Sequence, residues 1–136
     1  KNFINAFGEE LIIENAEKAL EKTLKKHDLN LVEYTVAPHF MKGKKSGFHQ
    51  WLIEFKKPPK NLKLFKQNLD NAIQRLNSDY KAKRYNDITM SELKVTVARK
   101  DLFYDWLSKK NKLGGQNKVP RLCNDRKIID EILALS

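Results

Sequence analysis

Leu62, Phe65, Leu69, Ile73, Leu76 and Tyr80 recur every three or four residues. That spacing puts them on one face of a helix, which begins after Pro58-Pro59 and runs to about Arg84. Ala16, Ala19, Leu20, Thr23 and Leu24 show the same period upstream, from a cap at Asn15 to His27-Asp28. Between these helices the pattern becomes β-prone. Residues 31–37 and 47–55 read as two strands of a hairpin joined by a basic loop from Pro38 to Ser46. Leu93, Val95 and Val97 alternate with Lys94, Thr96 and Ala98 as a half-buried strand. At the start of the chain, residues 2–6 and 11–13 form two short strands about a turn at Gly8. Asp101 caps a short helix carrying Leu102, Phe103, Trp106 and Leu107, and Asn124 or Asp125 caps a last one.

The resulting order is strand, helix, strand, strand, helix, strand, with two helices appended. Both periodicities are satisfied if helices pack on an antiparallel sheet. The predicted class is α+β, a ferredoxin-like antiparallel sheet packed with helices, plus two C-terminal helices. Such a core hosts many functions and selects none.

Composition narrows the setting. The 136 residues are 40% apolar, enough for one packed domain. No apolar run approaches the ~20 residues that span a bilayer, so no membrane partner is expected. The chain opens on Lys1 rather than Met, which reads as a fragment of a longer polypeptide. Cys123 is the single cysteine, so neither an intrachain disulfide nor a cysteine zinc cluster can form, and a cytoplasmic setting is expected. His27, His39 and His49 lie in different elements without ligand spacing, and no metal site is expected. The formal charge of +10 suits an anionic partner or, equally, a lysine-rich solvated surface.

Few residues invite chemistry. Glu9-Glu10 beside Gly8 reads as an acid/base pair or, as is usual at turns, as solvated carboxylates. Met41-Lys-Gly-Lys-Lys45 reads as a solvated loop, Trp51 and Trp106 as core, and Cys123 as a bystander thiol beside cations. The stretch "KLGGQNKVPRLCNDR", residues 112–126, differs. Gly114 and Gly115 free the backbone, and Pro120 stiffens it. Gln116, Asn117 and Lys118 lie between them, with Arg121 just beyond. A loop that can swing while aiming a long cation suits phosphate oxygens, a lysine being a compact point charge with rotatable donors. The alternative is an ordinary surface loop.

"GGQNKVPRL" resembles the C-terminal loop of the plant auxin-responsive acyl-acid–amido synthetase family, in its Gln, Lys and Pro-Arg spacing. "LNSDYKAKR" resembles the family's Leu-Asn, Tyr and Arg pattern at a helix end. "LVEYT" followed by Gly47 resembles its central hairpin. "FINAFGEELI" and "NDRKIIDEIL" resemble the hinge and the ending of bacterial members. The matches run in order along essentially the whole chain.

The resemblance implies an adenylate-forming ligase whose large N-terminal domain holds most of the nucleotide- and acid-binding residues. Such an enzyme activates a carboxylic acid with ATP and Mg2+, releasing pyrophosphate, and passes the acyl group to an amine such as an amino acid. The whole chain, 1–136, would be the small swivelling lid, with residues 1–14 as the hinge segment and 112–123 as a mobile loop. Lys118 matches the catalytic lysine at the nucleotide phosphates. Gln116, Asn117 and Arg121 would assist binding, Gly114, Gly115 and Pro120 would let the loop move, and Gly8 and Glu9 would form the domain hinge. Tyr80 and Arg84 match a family motif and are read as anchors of the domain. The isolated lid is expected to be inactive and to hold no cofactor of its own. Plant members have Tyr where Asn117 stands and Cys where Leu122 stands, so acid and acceptor identity are not carried over.

The competing class is a basic ferredoxin-like nucleic-acid-binding module, which presents exposed aromatics on its central strands. The Lys-Gly-Phe-type signature of that class is absent here, which makes nucleic acid the less favoured partner.

Overall fold

The computed structural model describes residues 2–41, 46–112, 114 and 118–136. A short hairpin opens the chain. β1 (Phe3–Ile4) pairs antiparallel with β2 (Leu11–Ile12), with Ile4 and Leu11 fully buried. Gly8 turns between them with φ +87, a conformation glycine adopts without a steric penalty. α1 (Ile13–Lys26) follows, and then β3 (Leu31–Phe40) and β4 (Gly47–Phe55) form the long antiparallel hairpin. β3 runs through Pro38 instead of stopping there. It is the outer strand of the hairpin, and edge strands tolerate a missing N–H.

The helix expected to reach Arg84 is two helices, α2 (Leu62–Leu76) and α3 (Ser78–Arg84). Asn77 sits between them in extended backbone, φ −141 and ψ 110. Its N–H closes α2 on Ile73 O at 2.9 Å, while its side chain accepts Tyr80 N–H at 2.8 Å and starts α3. An asparagine side chain that substitutes for a backbone partner is the standard reason a helix restarts. After a 3-10 turn, β5 (Lys94–Val97) joins β4 in parallel, as a strand returning through a helical crossover must. α4 (Leu102–Lys112) and α5 (Lys127–Leu133) complete the chain. Asp125 accepts Lys127 N–H at 3.0 Å at the start of α5.

The α+β class holds, and the expected element order is present. The main sheet is mixed, with three strands in the order β3-β4-β5, instead of wholly antiparallel. Period two decides its packing. Tyr34, Val36, Trp51, Ile53 and Phe55 face α1 and α2 and join one core. Ala37 and Leu52 face the other way and meet Leu102, Phe103, Trp106, Ile129 and Ile132 in a second core. The two appended helices are therefore the other outer layer of a three-layer domain. Asn124 ties this end to the first hairpin, accepting Asn5 N–H at 2.9 Å and donating to Phe3 O at 3.0 Å.

Candidate functional site

The stretch after α4 does two different things. Gly114 is exposed with φ +104 and nothing within 4 Å of where a Cβ would stand. Gly115, Gln116 and Asn117 lie outside the described residues. From Val119 onward the chain is fixed. Val119 is 6% exposed and packs in the α4–α5 core, while Leu122, also 6% exposed, packs in the α1–α2 core. The segment thus crosses the outer edge of β3 and drives an anchor into each face. Its backbone pairs with that edge: Val36 N–H donates to Arg121 O at 2.8 Å, and Cys123 N–H donates to Val36 O at 3.0 Å. Thr35 Oγ1 donates to Pro120 O at 2.7 Å. Residues 112–123 are therefore not uniformly loose, because 119–123 form a packed stem.

Arg121 is held from two elements. Its Nη1 donates to Glu17 Oε2 at 2.8 Å from α1, and its Nε donates to Glu33 Oε1 at 3.0 Å from β3. The guanidinium lies 5.0 Å from the centroid of the Tyr34 ring, within cation–π range. Tyr34 in turn donates its hydroxyl to Glu17 Oε2 at 2.5 Å. Burial alone would lower the pKa of Arg121, but the charges of Glu33 and Glu17 outweigh it and raise it. Burial, followed by the bond to Glu17 and its charge, pushes Tyr34 well above the usual tyrosine range. Arg121 is thus occupied by carboxylates of its own domain.

Lys118 is the last exposed residue before the Val119 anchor. It stands on the wall of an open cleft of about 600 Å³, together with Glu17, Glu33, Leu107, Pro120 and Arg121. The sequence-predicted Lys118, Pro120 and Arg121 therefore share one surface. Cys123, beside the stem, has its thiol pKa raised by burial, which suits an inert side chain.

Gly8 and Glu9 lie elsewhere. Glu9 is a correction to the solvated reading: it is wholly buried, its Oε1 accepts Phe7 N–H at 2.7 Å and its Oε2 meets His49 Nε2. Its partner His49 stands on β4, 40 residues away, which the local Gly-Glu-Glu pattern did not reveal. Tyr80 and Arg84 do anchor the body, through a partner that the periodicity concealed. Asp70, 1% exposed, accepts the Tyr80 hydroxyl at 2.6 Å and Arg84 Nε and Nη2, each at 2.9 Å. A carboxylate next to Leu69 in an apolar helix face was the available signal. Among the described residues, no three His, Cys, Asp or Glu side chains gather into a metal-binding group. No helix among them is long and apolar enough to cross a membrane. Trp51 and Phe55 of the central strand β4 are buried, so they offer no stacking platform to nucleic acid.

A mixed sheet covered on both faces, with a cation-bearing stem laid along one edge, defines a small three-layer α+β domain. The model of the GH3 family C-terminal domain matches residues 14–127, and the chain belongs to that family. In fold it is similar to the solved GH3.15 acyl acid amido synthetase, with TM-score 0.77 and 18% identity over 98% of this chain and 26% of that one. AtGH3.15 acyl acid amido synthetase in complex with 2,4-DB gives TM-score 0.77 and 18% identity over 98% and 25%. The chain thus spans about a quarter of the length of these structures. No curated protein matches it.

Proposed function

We propose that this chain is the lid domain of an ATP-dependent ligase that activates a carboxylic acid as its adenylate and passes the acyl group to an amine. The observation that carries this reading is the GH3 C-terminal family match over residues 14–127, and the cleft agrees with it. An exposed lysine, placed one residue from a buried anchor, suits an anion arriving from a partner surface. In this reading Lys118 neutralises charge on the phosphates as the carboxylate attacks, while Gly114 and Gly115 allow the preceding segment to adjust. Gln116 and Asn117 are proposed to assist that contact. The carboxylates near Lys118 are paired with Arg121, so Mg2+ and most nucleotide contacts are assigned to a preceding N-terminal domain of the same polypeptide, the proposed partner. The turn at Gly8 and Glu9 is fastened into the body, so any swivel of the lid is assigned to a point ahead of Phe3.

The test is Lys118→Ala in the full-length ligase, with acyl-adenylate formation followed in a single turnover and transfer from presynthesised adenylate followed separately. Loss of one preorganised charge contact predicts a fall of ~10²–10³ in the first step and little change in the second. Normal adenylation in this variant removes Lys118 from the reaction.

A further inference from the structure

We propose that Glu17 and Glu33 are positioning residues for Lys118, acting through Arg121; this rests on the reading of Lys118 given above. The stem meets the sheet at one residue of β3, because both backbone bonds, from Arg121 O and from Cys123 N–H, go to Val36. Val119 and Leu122 seat the stem in the two cores on either side of that bridge. The Thr35 hydroxyl on Pro120 O adds a second point on the same strand. The Arg121 side chain adds a polar tie that extends beyond that strand. Its fork reaches Glu17 on α1 as well as Glu33 on β3, and so braces the stem against a second element. Tyr34 holds Glu17 from behind through its hydroxyl and lies beneath the guanidinium with its ring. Lys118 is three residues along from this brace, beyond Val119 and Pro120, so the tilt of the stem sets where its ammonium reaches.

The same carboxylates also shape the field of the cleft. An unpaired Arg121 would compete with Lys118 for any anion entering. Paired with both carboxylates, Arg121 has its charge offset and its donors taken. Glu17 and Glu33 thereby bear on the reach of Lys118 through the stem. Neither needs to touch a substrate.

The experiment uses Glu17→Gln/Glu33→Gln and Arg121→Lys in the full-length ligase, beside Lys118→Ala. Arg121→Lys keeps the charge and removes the fork. Both stem variants are expected to slow single-turnover adenylate formation by roughly 10-fold, up to the ~10²-fold that a misplacement of about 1 Å costs. Transfer from presynthesised adenylate should stay within about twofold. In the 136-residue chain, the same variants should speed hydrogen exchange at the Cys123 amide and leave the buried Ile73 amide protected. Should the double variant fail to fold, which loss of Ile73 protection reports, the single Glu33→Gln carries the same comparison. Normal adenylation in the stem variants, with Lys118→Ala impaired, overturns the positioning role and leaves the function standing. Normal adenylation in Lys118→Ala overturns both. Equal loss in the two steps assigns the carboxylates to domain stability and overturns the proposal.

Discussion

Glu9 and His49 are 40 positions apart in the chain and meet side chain to side chain, each with 0% of its surface exposed. The pair closes the turn of the first hairpin onto the central strand. The Tyr80 ring lies 5.7 Å from the imidazole, so the latch and the α2–α3 junction share one wall. Glu9→Ala strips His49 Nε2 of this partner in the interior, and His49 Nδ1 already lacks a protein partner. The expected loss is about 3 kcal/mol by urea denaturation. Glu9→Gln keeps a hydrogen-bonding group and should lose clearly less. A loss below about 0.5 kcal/mol for Glu9→Ala would show that the hairpin does not depend on this pair.

Asp70 gathers Tyr80 and Arg84 in one buried node. Removing the carboxylate leaves a guanidinium, 11% exposed, without its main counter-charge. Asp70→Ala is expected to cost about 3–5 kcal/mol, among the larger effects of a single substitution in this chain. Asp70→Asn should fall between that variant and the parent. Calorimetric midpoints of the three proteins in that order would support the node; coincident midpoints would remove it.

Two buried tyrosines are expected to weaken the fold at alkaline pH. Burial pushes Tyr80 well above its usual pKa, and the charge of Asp70 and the bond to it push it further. Tyr34 is raised by burial and then by Glu17. In the unfolded chain both ionise near pH 10, whereas in the fold both keep their protons. The folded state therefore binds more protons above pH 10. Their contribution is intact below that pH and is lost as pH rises further, at about 1.4 kcal/mol per pH unit for each tyrosine. Urea titrations from pH 8 to 11.5 should show this fall. Tyr80→Phe and Tyr34→Phe, though less stable at pH 8, should each have a shallower alkaline slope. An unchanged slope in both variants would assign the fall to other groups.

Gly47 and Gly114 should respond differently to alanine. A Cβ on Gly47 would stand 2.0 Å from the backbone oxygen of His39, which cannot yield, and 2.9 Å from Phe7 Cζ. Gly47→Ala is expected to cost more than about 3 kcal/mol, through a distorted β3–β4 end. Gly114 has open space around it and pays only for its positive φ, about 1 kcal/mol. Similar stability of the two variants in denaturant would contradict this contrast.

The elements were largely legible because their periods are clean. The helical spacing from Leu62 to Leu76 on α2 and the apolar, β-prone run of 47–55 on β4 each state their geometry locally. What stayed hidden depends on partners distant in sequence. The parallel pairing of β5 follows from a crossover that local alternation does not encode. The break at Asn77 was written in the Asn-Ser-Asp run, yet the continuing apolar stripe through Tyr80 masked it. At the candidate site, Lys118, Pro120 and Arg121 stood out by spacing. Their clamp did not, because Glu17 and Glu33 lie 104 and 88 positions from Arg121 and look like ordinary surface charges.

Laying residues 119–123 across β3 also bears on solubility. A bare outer strand invites another chain to pair with it, and proteins that stay dispersed cover or interrupt such edges. Here Val36 has both of its outward backbone groups taken by Arg121 and Cys123, and Thr35 is tied to Pro120. Val119 and Leu122 pin that cover on either side. The piece of chain that presents the lysine is therefore also the guard against edge-to-edge assembly. Changes that loosen it for the sake of a different ligand would expose a ready template for self-association, and such variants face selection on two properties at once.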